Sequence, residues 1–106
     1  MDARIIFCTC PDAAIAARLA RTLVDERLAA CVNVIGGVVS TYRWQDAVHV
    51  DDEVLLVIKT TADRLDAMQS RLAALHPYEV PEMLAIAPSE GAAPYLAWLE
   101  RETRPA

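Results

Sequence analysis

Val38-Val39-Ser40-Thr41-Tyr42-Arg43-Trp44-Gln45-Asp46-Ala47-Val48-His49-Val50 is the stretch on which the fold turns. Val38 to Trp44 is rich in β-branched and aromatic residues, which suit a pleated strand. Alternation puts Ser40, Tyr42 and Trp44 on one face and Val39, Thr41 and Arg43 on the other. Gln45-Asp46-Ala47 reads as a hairpin tip, and Val48 to Thr60 as the returning strand. The outer part of that strand carries Asp51-Asp52-Glu53, which must reach solvent or cations. Its inner part, Val54-Leu55-Leu56-Val57-Ile58, is apolar throughout, as in a central strand. Each arm has roughly 13 to 15 residues, about 45 Å if straight. A domain of ~100 residues has a radius of gyration of only about 13 Å. The arms must therefore bend or overhang, and an overhanging edge needs a partner. A monomer is not expected.

Upstream, Cys31-Val32-Asn33-Val34-Ile35 begins the outgoing strand, and Gly36-Gly37 marks a bend or bulge within it. Ile5-Ile6-Phe7-Cys8 reads as a central strand buried on both faces. Thr9-Cys10-Pro11-Asp12 ends it and opens a helix, with proline near the first turn and an acid at the positive end of the dipole. Ile15, Leu19 and Leu23, with Ala16, Ala20 and Val24, form one apolar face of that helix. Downstream, a second helix starts at Asp63 with Thr60 or Thr61 as its cap. Leu65, Met68, Leu72 and Leu75 make its apolar stripe.

His76-Pro77-Tyr78-Glu79-Val80-Pro81-Glu82 stops the second helix. Two prolines four apart exclude a helix and push His76 and Val80 toward extended backbone. Rigid connectors of this kind often carry binding groups. Met83 to Ala87 is the last core strand, Pro88 to Gly91 a turn, and Pro94 opens a short helix with Tyr95, Leu96, Trp98 and Leu99 on its apolar side. The tail from Thr103 reads as loose. The order is β-α-β-β-α-β with an added C-terminal helix, an α+β chain of the ferredoxin-like class. A four-stranded antiparallel sheet is expected, with both long helices on one face and the first and last strands adjacent.

The chain has 106 residues, enough for one domain spanning 1–106. Its net charge of -5 disfavours nucleic acid and anionic membranes as partners. No apolar run approaches the ~18 residues of a membrane span, and Met1-Asp2-Ala3-Arg4 does not begin a signal peptide. A cytoplasmic protein is expected. Three cysteines without a secretion signal do not suggest a disulfide framework.

Cys8 and Cys10 would face the same way on a continuous strand. Thiolates suit Cu(I), and imidazole suits Cu(II) or zinc. With the outer strands adjacent, His76 is expected near Cys8, making the two the candidate metal ligands. Cys8 also reads as core filler after Ile5-Ile6-Phe7. Lys59, Tyr78 and Glu82 form a second candidate constellation, either a structural charge pair or a cleft for a small anionic ligand. Tyr42 and Trp44 read as interface packing. H-E-x-x-H, C-x-x-C and G-x-x-x-x-G-K motifs are absent. A hydrolase built on a cysteine–histidine pair ranks last, and no enzyme is assigned.

Thr9-x-Pro11-Asp12, Ala30-Cys31-Val32-Asn33, Tyr42-Arg43-Trp44, Ile58-Lys59-Thr60, His76 to Glu82 and Tyr95-Leu96-x-Trp98-Leu99 together resemble the CutA family of divalent-cation tolerance proteins. The resemblance covers nearly the whole chain. It implies a ferredoxin-like fold, a homotrimer made by edge pairing of the long hairpins, and a likeness to PII signalling proteins. It also implies copper as the bound metal, with ligands at Cys8 and His76, and a role in metal tolerance. Leu75 stands where some relatives carry a second histidine. A PII-like module with a small molecule between subunits is the alternative.

Overall fold

The computed structural model describes residues 2–105. Its strands are β1 (Ala3–Cys10), β2 (Cys31–Trp44), β3 (Ala47–Thr61) and β4 (Leu84–Ile86), and its helices are α1 (Ala13–Asp25), α2 (Leu65–Leu75) and α3 (Ala93–Glu102). The sheet order is β2-β3-β1-β4 with antiparallel pairing throughout, the ferredoxin-like arrangement. β1 runs along β3 from Ala3↔Thr61 to Cys10↔Val54.

Alternation divides the sheet into two faces. Ile6, Cys8 and Cys10 from β1, with Val54, Leu56 and Ile58 from β3, point to the helices and are buried. They meet Leu19 and Leu23 of α1 and Met68 and Leu72 of α2 in one core. Burying each of these large apolar side chains contributes about 1.5–3 kcal/mol. On the opposite face Ile5, Phe7, Leu55 and Val57 are only half-buried. β1 is therefore central in the sheet but covered on one face, not two. β4 pairs only through Ile5↔Ile86 to Phe7↔Leu84, and its residues are exposed, Leu84 at 65%. The expected last core strand is an edge strand, because among the described residues no strand pairs with its outer side.

Local chemistry sets the helix ends. Asp12 caps α1, its Oδ1 accepting from the Ile15 N–H at 2.8 Å, and Pro11 falls just before the cap rather than in the first turn. Thr61 does not cap α2. Its hydroxyl donates to Asp63, a short 3₁₀ turn spans Ala62–Arg64, and the helix starts at Leu65. α2 ends at Leu75 because His76 is extended (φ -74, ψ 137), as the following proline requires. The residues after α3 are pinned rather than loose. Thr103 is fully buried and bonded to the Leu99 carbonyl, and Arg104 grips both oxygens of Asp63 at 2.7 and 3.0 Å.

The hairpin dominates the outline of 44 × 27 × 22 Å. Gly36-Gly37 is a bulge, with a register shift between Ile35 and Val38 and Gly37 at φ 78. The tip is the two-residue turn Gln45-Asp46, both at positive φ, which matches the twist of the arms. Beyond the bulge the arms overhang the body. Val39, Val48 and Val50 stand 65%, 60% and 64% exposed on one face. Tyr42, Trp44, His49 and Asp51 share the other face, through the pairs Tyr42↔His49, Trp44↔Ala47 and Ser40↔Asp51.

Candidate functional site

The connector His76 to Glu82 folds over the end of β1 and faces the base of the hairpin. β4 stops pairing at Phe7, and further along β1 the Thr9 carbonyl is taken by His76 Nε2 at 2.8 Å. Nδ1 of the same ring accepts the Tyr78 N–H at 3.1 Å. Those two bonds define a neutral tautomer with the proton on Nε2. The ring is 7% exposed and packs at 4.7 Å, tilted, against the ring of Tyr78. Tyr78 then donates its hydroxyl to Glu53 Oε2 at 2.6 Å, joining the connector to β3.

Between connector and hairpin lies a cleft of 660 Å³. Tyr42 and Trp44 on the hairpin face Tyr78 and Val80 on the connector, with Glu53, Glu79 and Glu82 adding carboxylates and no Lys or Arg in the lining. Tyr42 is oriented by stacking on His49 at 5.4 Å and by its bond to Asp51. Partial desolvation, and then the Glu53 carboxylate, hold the Glu82 carboxyl above its usual range although that residue is exposed at the rim. Burial, and then the bond to Glu53, push the Tyr78 hydroxyl well up. The cleft is acidic, aromatic and suited to a cation.

The candidate metal pair behaves otherwise. Cys8 is wholly buried, and burial, helped by Cys10 and nearby carboxylates, pushes its thiol up to about 12. It is a neutral core thiol, not a thiolate. Cys10 is also buried and shifted up. His76 has both ring nitrogens committed to the backbone. Among the described residues no group of three His, Cys, Asp or Glu side chains stands close enough to hold a metal ion. Cys8 and His76 as arranged do not fit copper.

Lys59 is separated from its expected partners. It lies six residues along β3 from Glu53, about 20 Å, opposite Ile5 and Cys31, and joins none of the ion pairs among the described residues. The structure brings Tyr78 and Glu82 to the cleft and leaves Lys59 out, so an anionic ligand has no cation to meet there. Tyr42 and Trp44, expected as interface packing, line the cleft. Glu53 was the unassigned residue. Its signal was an acid placed directly before the apolar run of β3.

The sequence pattern described as CutA1 divalent ion tolerance protein matches residues 4–102. The chain is 46% identical over 99 residues to a divalent-cation tolerance protein CutA of Thermus thermophilus, covering 93% of this chain and 96% of that protein. It is 41% identical to the mouse protein CutA over 92% of this chain, and spans about half of that relative, 55%. A crystal structure of CutA from Xylella fastidiosa superposes with a TM-score of 0.95 at 47% identity, over 98% of this chain and 100% of that one. The relatives include proteins described as chloroplastic, from Oryza sativa, and as periplasmic, from Archaeoglobus fulgidus. Among the described residues no helix is long and apolar enough to cross a membrane. With sequence pattern, relatives and fold in agreement, this chain belongs to the CutA1 divalent ion tolerance family.

Proposed function

We propose that this chain is a homotrimeric cation-binding protein of divalent-cation tolerance, and that the cation is taken in the acidic cleft between hairpin and connector. One observation carries the reading. Glu53, Glu79 and Glu82 line the cleft without a Lys or Arg among them, so the field there attracts cations and repels anions. The exposed valine face of the overhang and the open edge of β4 support self-association, and three copies is the count the family resemblance implies. Copper is the metal of first choice, with its ligand set completed by a second subunit, since the described residues of one chain gather no set of three. The cytoplasm is the proposed compartment. A small molecule bound between subunits is compatible with the same cleft, provided it is positively charged.

Native mass spectrometry of the reduced protein during copper titration tests this. Trimers that take up copper, and lose it on Glu53→Gln with Glu82→Gln but not on Cys8→Ser, are expected. Uptake abolished by Cys8→Ser alone, or monomers throughout, would overturn the reading.

A further inference from the structure

We propose that the cleft between hairpin and connector binds an organic ammonium ion, its charge set against Glu53 and its carbon groups against the rings of Tyr42, Trp44 and Tyr78. The inference rests on the cation reading above and names a ligand class for the same site.

Glu53 carries it. The side chain is 9% exposed and lines the cleft. Its one hydrogen bond is from the Tyr78 hydroxyl to Oε2. Among the described residues Oε1 accepts no hydrogen bond, and no Lys, Arg or His stands within ion-pair distance of either oxygen. Oε1 is thus an acceptor left open in the cleft lining, where an entering positive charge can pair with it.

The surroundings select the kind of charge. A bare metal ion needs several ligand atoms converging at short range, which the described residues of one chain do not supply without a second subunit, whereas an ammonium ion needs only a carboxylate and aromatic faces. The volume, 660 Å³, falls within the usual range for small-molecule sites. Aromatic faces attract an ammonium group within about 6 Å of the ring centre and tolerate its methyl or methylene groups, which a strongly hydrated metal ion does not offer. Two of the rings are already held in place. Tyr42 is fixed by His49 and Asp51, and Tyr78 by His76 and Glu53. The site is therefore oriented before a ligand arrives.

The probe is tetramethylammonium, titrated into the full chain in its native assembly. A Trp98→Phe background leaves Trp44 as the only tryptophan and the fluorescent reporter. Saturable binding is expected, at least about tenfold tighter than for tert-butanol, a neutral molecule of similar size. Glu53→Gln should weaken it by at least about tenfold, and Tyr42→Leu by several-fold, with circular dichroism and assembly unchanged. Glu82→Gln, at the exposed rim, serves as a second variant if Glu53→Gln fails to fold, and should weaken binding less. Equal affinity for tert-butanol, or no response to either carboxylate change, would overturn the proposal. Copper binding that depends on Glu53 without any ammonium binding overturns the ligand class and leaves the cation reading standing. Failure of both probes, including through a cleft filled by a second copy, overturns both.

Discussion

Tyr78 donates its hydroxyl to Glu53 Oε2 at 2.6 Å, across 25 residues of sequence, and this bond ties the connector to the base of the hairpin. It is a charge-assisted bond to a side chain that is nine-tenths buried. Tyr78→Phe should therefore destabilise the protein by about 1.5–3 kcal/mol, the range for hydrogen bonds to charged groups. Urea denaturation measures it. In the Glu53→Gln background, where the acceptor is neutral, the same change should cost about half as much or less. An equal loss in both backgrounds would mean that the ring, not the bond, holds the connector.

Two carboxyls should respond to acid in opposite directions. Glu82 is held above the usual glutamate value, so its ionisation in the folded chain is unfavourable. That penalty is absent in strong acid, develops as pH rises from the ordinary value near ~4.3 through the raised one, and persists at neutrality. Glu82→Gln should melt higher than the parent at pH 7 and equally near pH 3. Asp63, gripped by Arg104 and bonded by Thr61, is held well below the usual range. Its contribution is present above about pH 4 and is lost as pH falls toward the depressed value. Asp63→Asn should melt lower than the parent at pH 7, with the gap closing in acid. Melting curves of both variants from pH 2 to 7 check the two signs together.

The three cysteines should differ in reactivity. Cys8 and Cys10 are wholly buried with thiols shifted up, whereas Cys31 is half-buried at the start of β2. Iodoacetamide at pH 8 should modify Cys31 first in the folded protein and reach the other two only on unfolding, because the thiolate is the reactive form. Peptide mass mapping over time reads the order. Rapid labelling of Cys8 would contradict its place in the core.

The hairpin tip leaves stability unused. Gln45 (φ 51) and Asp46 (φ 63) hold left-handed conformations that asparagine and glycine adopt more readily. Gln45→Asn with Asp46→Gly should raise stability by about 0.5–1 kcal/mol, measured by thermal melting. Gly37→Ala should act in the opposite direction, since φ 78 at the bulge disfavours a side chain even though open space surrounds it.

Element order was legible in the residues because it depends on local chemistry. Alternation revealed both arms of the hairpin, Gly36-Gly37 its bulge, and Pro77 the end of α2. The motifs spread along the chain were enough to point to the family. What met what depended on register and packing. Thr9 and His76 are 67 residues apart and Tyr78 and Glu53 are 25 apart, and only the folded sheet, with β4 ending opposite Phe7, brings each pair together. The same register carries Lys59 to the far end of β3 from Glu82, and aims Cys8 at the helices, where desolvation keeps its thiol neutral. Thr103 and Arg104 looked like a free tail because their anchors, Thr61 and Asp63, lie some forty residues away, at about the distance that composition cannot see. Sequence determined the elements and their order. Tertiary structure decided which side chains share a cleft, and therefore that its charge is negative.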